Sequence, residues 1–501
     1  MFSGNVDHVL CAANHIQIMP VVDACVDFLR SHLELSNCLE ILNAAELFTL
    51  NDLSNYVYKF ISKNFQEFSM TKEFFKLTTN QLVTLLDLNF PVNCTECEVL
   101  SVVVGWIVHH HGYRLPSAGK LLQKVQLSNL KWQDIEQISN FGDLEKLTLG
   151  ESTDCVIVGL KDQVQSQTCK IVPGLINLRG YEETMVICGG FRPGQGMTNA
   201  VQCYNKSKGT MKTLTRVPHV EQCNFGMAVM NNKLYVVGGC YNDDQMQEFA
   251  HGFGFCYDPM KNTWHNIAPM TNERCRFYLG SVGNKFYAIG GDPSASMETG
   301  DFAHCECYDL DTRRWQVVAP LPGNRMEHAG TTMADSIYIS GGLQDQEGPV
   351  FDSFYKYETR TNTWVALRSL LTPRADHGMF SYEGKIYVIG GWYEDELTQQ
   401  RVMASTVDCF DPVKGQWEVI GTIDSPRLYA TYSVLKNQVI VIGGWLNGNC
   451  QRKCSAVEMF DLDTLTWSKV DKSADRGKSG GQEMWEHASC SIYLPVCTFD
   501  D

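Results

Sequence analysis

The sequence predicts an α+β multidomain chain: an α-helical N-terminal third, then an all-β propeller of six blades closed by the chain's own C-terminal strand. Three observations carry this. A short apolar run ending in two glycines occurs six times, as TMVICGG, KLYVVGG, KFYAIGG, SIYISGG, KIYVIGG and QVIVIGG, with first glycines at Gly189, Gly238, Gly290, Gly341, Gly390 and Gly443. These intervals of 49 to 53 residues mark one supersecondary unit repeated in tandem. In five units an aromatic is followed seven residues later by tryptophan: Tyr257/Trp264, Tyr308/Trp315, Tyr357/Trp364, Phe410/Trp417 and Phe460/Trp467. The first unit has Tyr204, with Met211 in the tryptophan's place. Before about residue 150 there is no diglycine, and the apolar residues recur at helical intervals.

Each unit resolves into about four short strands. One precedes the glycines, one ends in them, one ends near the aromatic, and one contains the tryptophan. Turn residues such as Asp258-Pro259 and Asn262 separate the last two. Glycine permits close backbone approach or a positive φ, and the aromatics supply apolar surface to bury between blades. Four-stranded sheets repeated radially make a β-propeller. In these features, over 181–495, the chain resembles the Kelch repeat family. Five units have a strand before their diglycine, and the first does not. Its partner is expected at the other end, in WEHASCSIYL (485–494), whose Glu486-His487-Ala488 matches Glu327-His328-Ala329. Closure of this kind removes exposed sheet edges.

In the first third, Val6, Leu10, Ala13, Ile16 and Ile18 form one apolar series, and Val21, Val22, Cys25, Phe28 and Leu29 follow Pro20 in another. Ser36-Asn37 is a plausible cap before Leu39, Ile41, Leu42 and Ala45. The clearest helix is expected over 98–110, with Val99, Val102, Val103, Trp106, Ile107 and His110 on one face. Residues 1–35 resemble the closing helices of a BTB domain, and SNCLEILNAAELF opens a stretch, 36–150, that resembles a BACK domain. Residues 151–180 read as a polar linker. BTB, BACK and Kelch in that order is the Kelch-like architecture. The resemblance implies a non-catalytic adaptor of a Cullin-3 ubiquitin ligase, with BTB dimerising and binding Cullin-3 and the propeller capturing a substrate protein. The N-terminal part of the BTB domain is missing from this sequence, and with it the dimer core and much of the Cullin-3 contact, so a homodimer is expected only where a full BTB is present. The alternative is an actin-binding or cytoskeletal scaffold without ligase function.

Composition narrows the field. A net charge of −16 argues against nonspecific nucleic-acid binding. The longest apolar stretch, 99–108, is too short to span a bilayer. No basic segment followed by an apolar one opens the chain, so the 20 cysteines read as reduced thiols of a cytoplasmic protein. Cys94-x-x-Cys97 and Cys305-x-Cys307 lack a second ligand pair at zinc spacing, so no metal or cofactor is expected. Neither a nucleophile elbow, an H-E-x-x-H helix nor a P-loop occurs. His109, His110 and His111 read as a solvated helix end, Gly190, Gly194 and Gly196 as a flexible loop, and catalysis at His328, His377 and His487 is not expected without a matching set of tyrosine and cysteine ligands.

Register places the candidate binding residues. Fourteen residues before each first glycine stand Asn224, Arg276, Glu327, Asp376 and Tyr429, with Glu486 matched through the C-terminal strand. The resemblance implies that this position often faces the substrate pocket. A second set follows the diglycines, of which Phe191, Trp392 and Trp445, with Tyr393 adjacent, are aromatic and expected to be exposed. Together these predict an acidic pocket rimmed by aromatics. It would bind a peptide whose Lys or Arg pairs with Glu327, Asp376 or Glu486 and stacks on Trp392 or Trp445.

Overall fold

The computed structural model describes residues 6–87, 94–126, 179–205, 210–243, 247–293, 304–345, 348–395, 397–398, 400–446, 450, 452–454, 456–469, 483–495 and 498. The predicted linker falls almost wholly outside them. The chain divides into two compact units, 1–182 with 495–501, and 183–494.

The first unit is helical. Helices run Val6–His15, Met19–Ser31, Cys38–Leu47, Asn51–Lys63, Phe65–Ser69, Thr79–Leu85, Glu96–His109, His111–Arg114 and Ala118–Leu122. They bury one continuous core that includes Leu10, Val22, Leu42, Val57, Phe65 and Trp106. Two starts are set by reciprocal capping. Thr78 and Gln81, and Thr95 and Glu98, each exchange side-chain and backbone hydrogen bonds. The second of these boxes moves the predicted helix start from 98 back to Glu96. His110, expected on the buried face, is exposed beyond the helix end. Asn37 does cap the third helix by position, but its side chain accepts from Glu34 N–H instead. Ile16 and Ile18 lie exposed where their spacing suggested burial. Glu96 is paired with Arg179, both fully buried, and Arg179 also donates to the carbonyls of Leu86 and Lys124. The far end of the polar segment is thus tied back to the helical core.

The second unit is a ring of six four-stranded antiparallel sheets. Blade 1 comprises Ala488–Pro495, Tyr181–Cys188, Ala200–Asn205 and Thr210–Arg216, in that spatial order, so the C-terminal strand supplies its innermost element as the sequence predicts. Blades 2 to 6 are each continuous in sequence, beginning at Gly226, Tyr278, Ala329, Gly378 and Thr431.

The seven-residue aromatic spacing is a hairpin register. Tyr257 lies directly opposite Trp264, and the same holds for Tyr308/Trp315, Tyr357/Trp364, Phe410/Trp417, Phe460/Trp467 and the Tyr204/Met211 variant. The five ring pairs have centroids 4.9–5.3 Å apart. Four indole N–H groups then reach the preceding blade, at Thr215 Oγ1 and the carbonyls of Ala268, Ala319 and Arg368. Four of the five tryptophans therefore both close their own hairpin and fasten the blade behind; Trp467 closes its hairpin alone.

Glycine is required at the diglycines for two reasons at once. Gly341 has φ +62°, and a Cβ there would lie 2.1 Å from the Arg374 carbonyl oxygen; at Gly342 (φ +91°) it would lie 2.6 Å from that of Met326. Gly384 has a similar φ of +74° but open space around it. Gly341→Ala is therefore expected to destabilise the propeller by on the order of 2 kcal/mol more than Gly384→Ala, read from denaturant midpoints. Truncation after residue 482 removes the innermost strand of blade 1. It is expected to abolish the cooperative melting of the whole ring, and a truncated chain that melts like the full one would contradict closure.

Candidate functional site

The six residues picked by register converge on the propeller axis. Asn224, Arg276, Glu327, Asp376, Tyr429 and Glu486 together line one cavity of about 170 Å³, with Phe225, Phe277, His328, His377, Ala430 and His487 immediately behind them. The volume suits one side-chain head group and falls short of a small-molecule site.

The backbone explains the convergence. In each blade the residue before the axial one forms an antiparallel bridge to the loop after a diglycine, as in Cys223↔Cys240, Met326↔Leu343 and Ala375↔Trp392. Three residues after the bridging residue, in all six blades, the innermost strand begins. The axial residue between them turns the chain, with φ of +54°, +53°, +51°, +51°, +54° and +52° from Asn224 to Glu486. Left-handed backbone is uncommon outside glycine, asparagine and aspartate, and Arg276, Glu327, Tyr429 and Glu486 are none of these. Neighbouring blades hold the strained turns in place. Arg276 N–H donates to Asn224 O (2.9 Å), Glu327 N–H to Arg276 O (3.2 Å), Asp376 N–H to Glu327 O (2.9 Å) and Glu486 N–H to Tyr429 O (3.3 Å). Tyr429 N–H donates to the Asp376 carboxylate, and Asn224 Nδ2 donates to Glu486 Oε2 at 3.1 Å. A belt of hydrogen bonds thus encircles the axis.

Charge in the cavity is unevenly satisfied. Arg276 forms a bidentate pair with Glu248 (2.6 and 2.9 Å) and lies 3.5 Å from Asp292 and 3.9 Å from Glu327. Burial pushes the Asp376 carboxyl well above the ordinary range, reinforced by the Glu327 charge. Burial also raises Glu327 and Glu486, with Arg276 opposing the shift in both. Among the described residues, Glu327 Oε2 has no hydrogen-bond partner. The three histidines are held neutral, because burial lowers His328 and His487 to about 3 and His377 well below its usual value. Their rings pack on first glycines: a Cβ at Gly290, Gly341 or Gly443 would lie 2.6–2.8 Å from a histidine Cε1.

The structure does not bring the aromatic set to this cavity. Trp392 was expected to be exposed, but it is 2% exposed, in a short hairpin of Trp392–Glu394 with Arg401–Met403. Arg401 stacks over it at 4.2 Å. Trp445 is half-buried against Trp485 (4.9 Å), with Lys453 over both rings. Phe191 stacks on Trp485 at 5.8 Å. Tyr393, half-buried, pairs with Val402 in the same short hairpin. The stacking positions that register offered to a partner's cation are taken by the chain's own. The glycine-rich stretch after the first diglycine, expected as a loop, is also a hairpin, pairing Phe191–Arg192 with Gly196–Met197.

Sequence reading missed a buried arginine two residues before the axis. Arg274, Arg325, Arg374 and Arg427 each donate to a first-glycine carbonyl, at Gly290, Gly341, Gly390 and Gly443. Three also pair with buried acids: Arg274 with Glu306 (2.7 Å), Arg374 with Asp408 (2.5 Å) and Arg427 with Glu458 (2.6 Å). The signal was present as Arg-x-(axial residue) in four units.

Comparison with known proteins agrees with this architecture. The BACK family (BTB And C-terminal Kelch) matches residues 38–140, the Kelch motif 223–271, and the KLHDC2/KLHL20/DRC7 Kelch-repeats domain 276–493. Kelch-like protein 26 of Danio rerio is 25% identical over 93% of this chain and 76% of its own length. Kelch-like protein 36 of Mus musculus is 26% identical over 93% and 75%, and Kelch-like protein 15 of Homo sapiens 23% over 99% and 83%. The chain carries a BACK domain followed by Kelch repeats, and it is similar to Kelch-like proteins over nearly its whole length. The two Kelch matches span all six axial residues.

The raised carboxylates make a signed prediction for the Kelch propeller. A carboxyl whose folded pKa lies above its unfolded one favours the folded state when protonated. Its stabilising contribution is present below the ordinary carboxylate range and is lost as pH rises through the folded value. Asp376→Asn keeps an acceptor for Tyr429 N–H and removes the buried charge, as Glu327→Gln does for its own. Both are expected to raise the melting temperature at pH 7, with the gain shrinking towards zero as the pH falls below about 4. An equal gain at both pH values would contradict it.

Proposed function

We propose that this chain is a non-catalytic, cytoplasmic substrate-recognition adaptor of a Cullin-3 ubiquitin ligase. In this reading residues 1–35 are the closing helices of a BTB domain, 36–150 the BACK arm, and 181–495 the Kelch propeller that captures the protein to be ubiquitinated. The observation that carries the capture role is the convergence of Glu327, Asp376 and Glu486 on one cavity of side-chain size. These acids are strained and raised in pKa, so they weaken the fold they belong to. Residues that cost stability and stay on a shared axis suit recognition better than architecture.

The chemistry favours a basic segment in an extended or turn conformation that inserts one Lys or Arg. Its cation would replace water at the three carboxylates and complete the hydrogen bonding of Glu327 Oε2. Arg276, held by Glu248, bounds the pocket on one side, and its charge disfavours a cation placed next to it. No helix among the described residues is long and apolar enough to cross a membrane.

The test uses the full chain bearing Glu327→Gln, Asp376→Asn and Glu486→Gln. Wild type should co-purify a partner with a basic segment together with Cullin-3. The triple variant should lose the partner by about tenfold or more in affinity while keeping Cullin-3. Full retention of the partner would remove the axial acids from recognition. Failure of wild type to bring down Cullin-3 would remove the ligase role, and actin co-sedimentation would then point to a scaffold.

A further inference from the structure

Three cysteines and a carboxylate meet beside the axis, between blades 2 and 3. Cys223 and Cys240 face each other across an isolated antiparallel bridge, with their Sγ atoms 3.6 Å apart. Cys275, from the equivalent bridge of the next blade, lies 3.8 Å from Glu248 Oε1. The ligand atoms of Cys240, Glu248 and Cys275 all fall within 4.8 Å of one another. The three thiols are buried, whereas the Glu248 side chain is 39% exposed and opens the cluster to solvent.

The sixfold repeat supplies an internal comparison. At the bridge positions where blades 2 and 3 place Cys223, Cys240 and Cys275, the other bridges hold Met326/Leu343, Ala375/Trp392, Leu428/Trp445 and Phe191/Trp485. Ordinary packing at this position is therefore met by apolar residues, and the thiols gather only where Glu248 reaches them. From here we infer that Cys240, Cys275 and Glu248 form a site for a thiophilic divalent cation, with Zn²⁺ the best match and Cys223, 3.6 Å from Cys240, at its edge. A tetrahedral ion with Zn–S of about 2.3 Å and Zn–O of about 2.0 Å needs S···S edges of about 3.8 Å and S···O edges of about 3.5 Å. The 3.8 Å between Cys275 Sγ and Glu248 Oε1 lies close to the second, and three protein ligands leave the fourth position to water. Arg276 Nη1, 3.3 Å from Cys275 Sγ, supplies the outer N–H···S contact and the positive charge that offset accumulated thiolates. Binding releases the thiol protons to solvent, so affinity falls in acid.

The test titrates the reduced, chelator-stripped full chain with Co²⁺ as the spectroscopic probe. Wild type should develop thiolate-to-cobalt charge transfer and the intense visible bands of a tetrahedral site, saturating near one equivalent and bleached by Zn²⁺. The variant Cys240→Leu with Cys275→Ala copies the residues of blades 4 and 5 at the same positions, which guards the fold, and should lose these bands. Cys305→Ser with Cys307→Ser should keep them. Glu248→Gln should weaken binding by about tenfold. Absence of thiolate bands in wild type, or their survival in the Cys240/Cys275 variant, would overturn the site.

Discussion

No side chain fits between the end of one blade's second strand and the entrance to the next blade. The rest of the propeller depends on that constraint. With glycine there, the backbone of one blade meets a neighbouring carbonyl and a neighbouring aromatic or histidine ring at van der Waals distance. Two polar contacts follow from the same approach. In four blades the buried arginine at the blade's entrance reaches that blade's own first-glycine carbonyl, and the bridge after the diglycine sets the same blade's axial residue in its left-handed turn. Burying four guanidinium groups is tolerable because nearly every one meets a carboxylate as well as carbonyls, so the desolvation penalty is offset locally. The propeller's geometry is thus set by the absence of six side chains, and its centre by what that absence admits.

Most of the fold was legible because its determinants are local and periodic. The diglycines recur in register, the aromatic pairs are hairpin neighbours, and the displaced strand at 485–494 carries the same Glu-His-Ala as an interior blade. The axial residues were legible for the same reason: counting from a glycine is enough to place Asp376 or Glu327. The aromatic set was not. Trp392 and Cys240 occupy one register position, but whether that position is exposed depends on a second strand, such as Arg401–Met403, that returns from an irregular loop. The cysteine cluster escaped for a related reason. Cys223, Cys240, Glu248 and Cys275 carry no metal spacing in sequence, because the bridges of two successive blades bring them together. In the helical unit, spacing identified the buried stripes but overextended them. Ile16 and Ile18 follow the spacing but lie in the turn between His15 and Met19, where Gln17 is left-handed, so the buried face does not extend to them.

Stability and recognition are in tension along the axis. A carboxylate in a narrow cavity is poorly solvated, and a non-glycine residue in left-handed conformation is strained. A ring built for stability alone would put Asn or Gly at these positions, as Asn224 suggests. Glu327, Asp376 and Glu486 stand there at a cost to the ring.

The closing strand has a consequence in time. The hydrogen bond from Asn224 to Glu486 spans 262 positions of chain, and that from Asn232 to the Tyr493 carbonyl spans 261. Blade 1 is the first part of the ring to leave the ribosome and the last to be finished. Until the final residues emerge, its edge is open and the axis lacks one of its three acids. Contacts this distant are formed late and slowly. The pocket is therefore a property of the closed ring alone, and a product terminated before residue 486 lacks it.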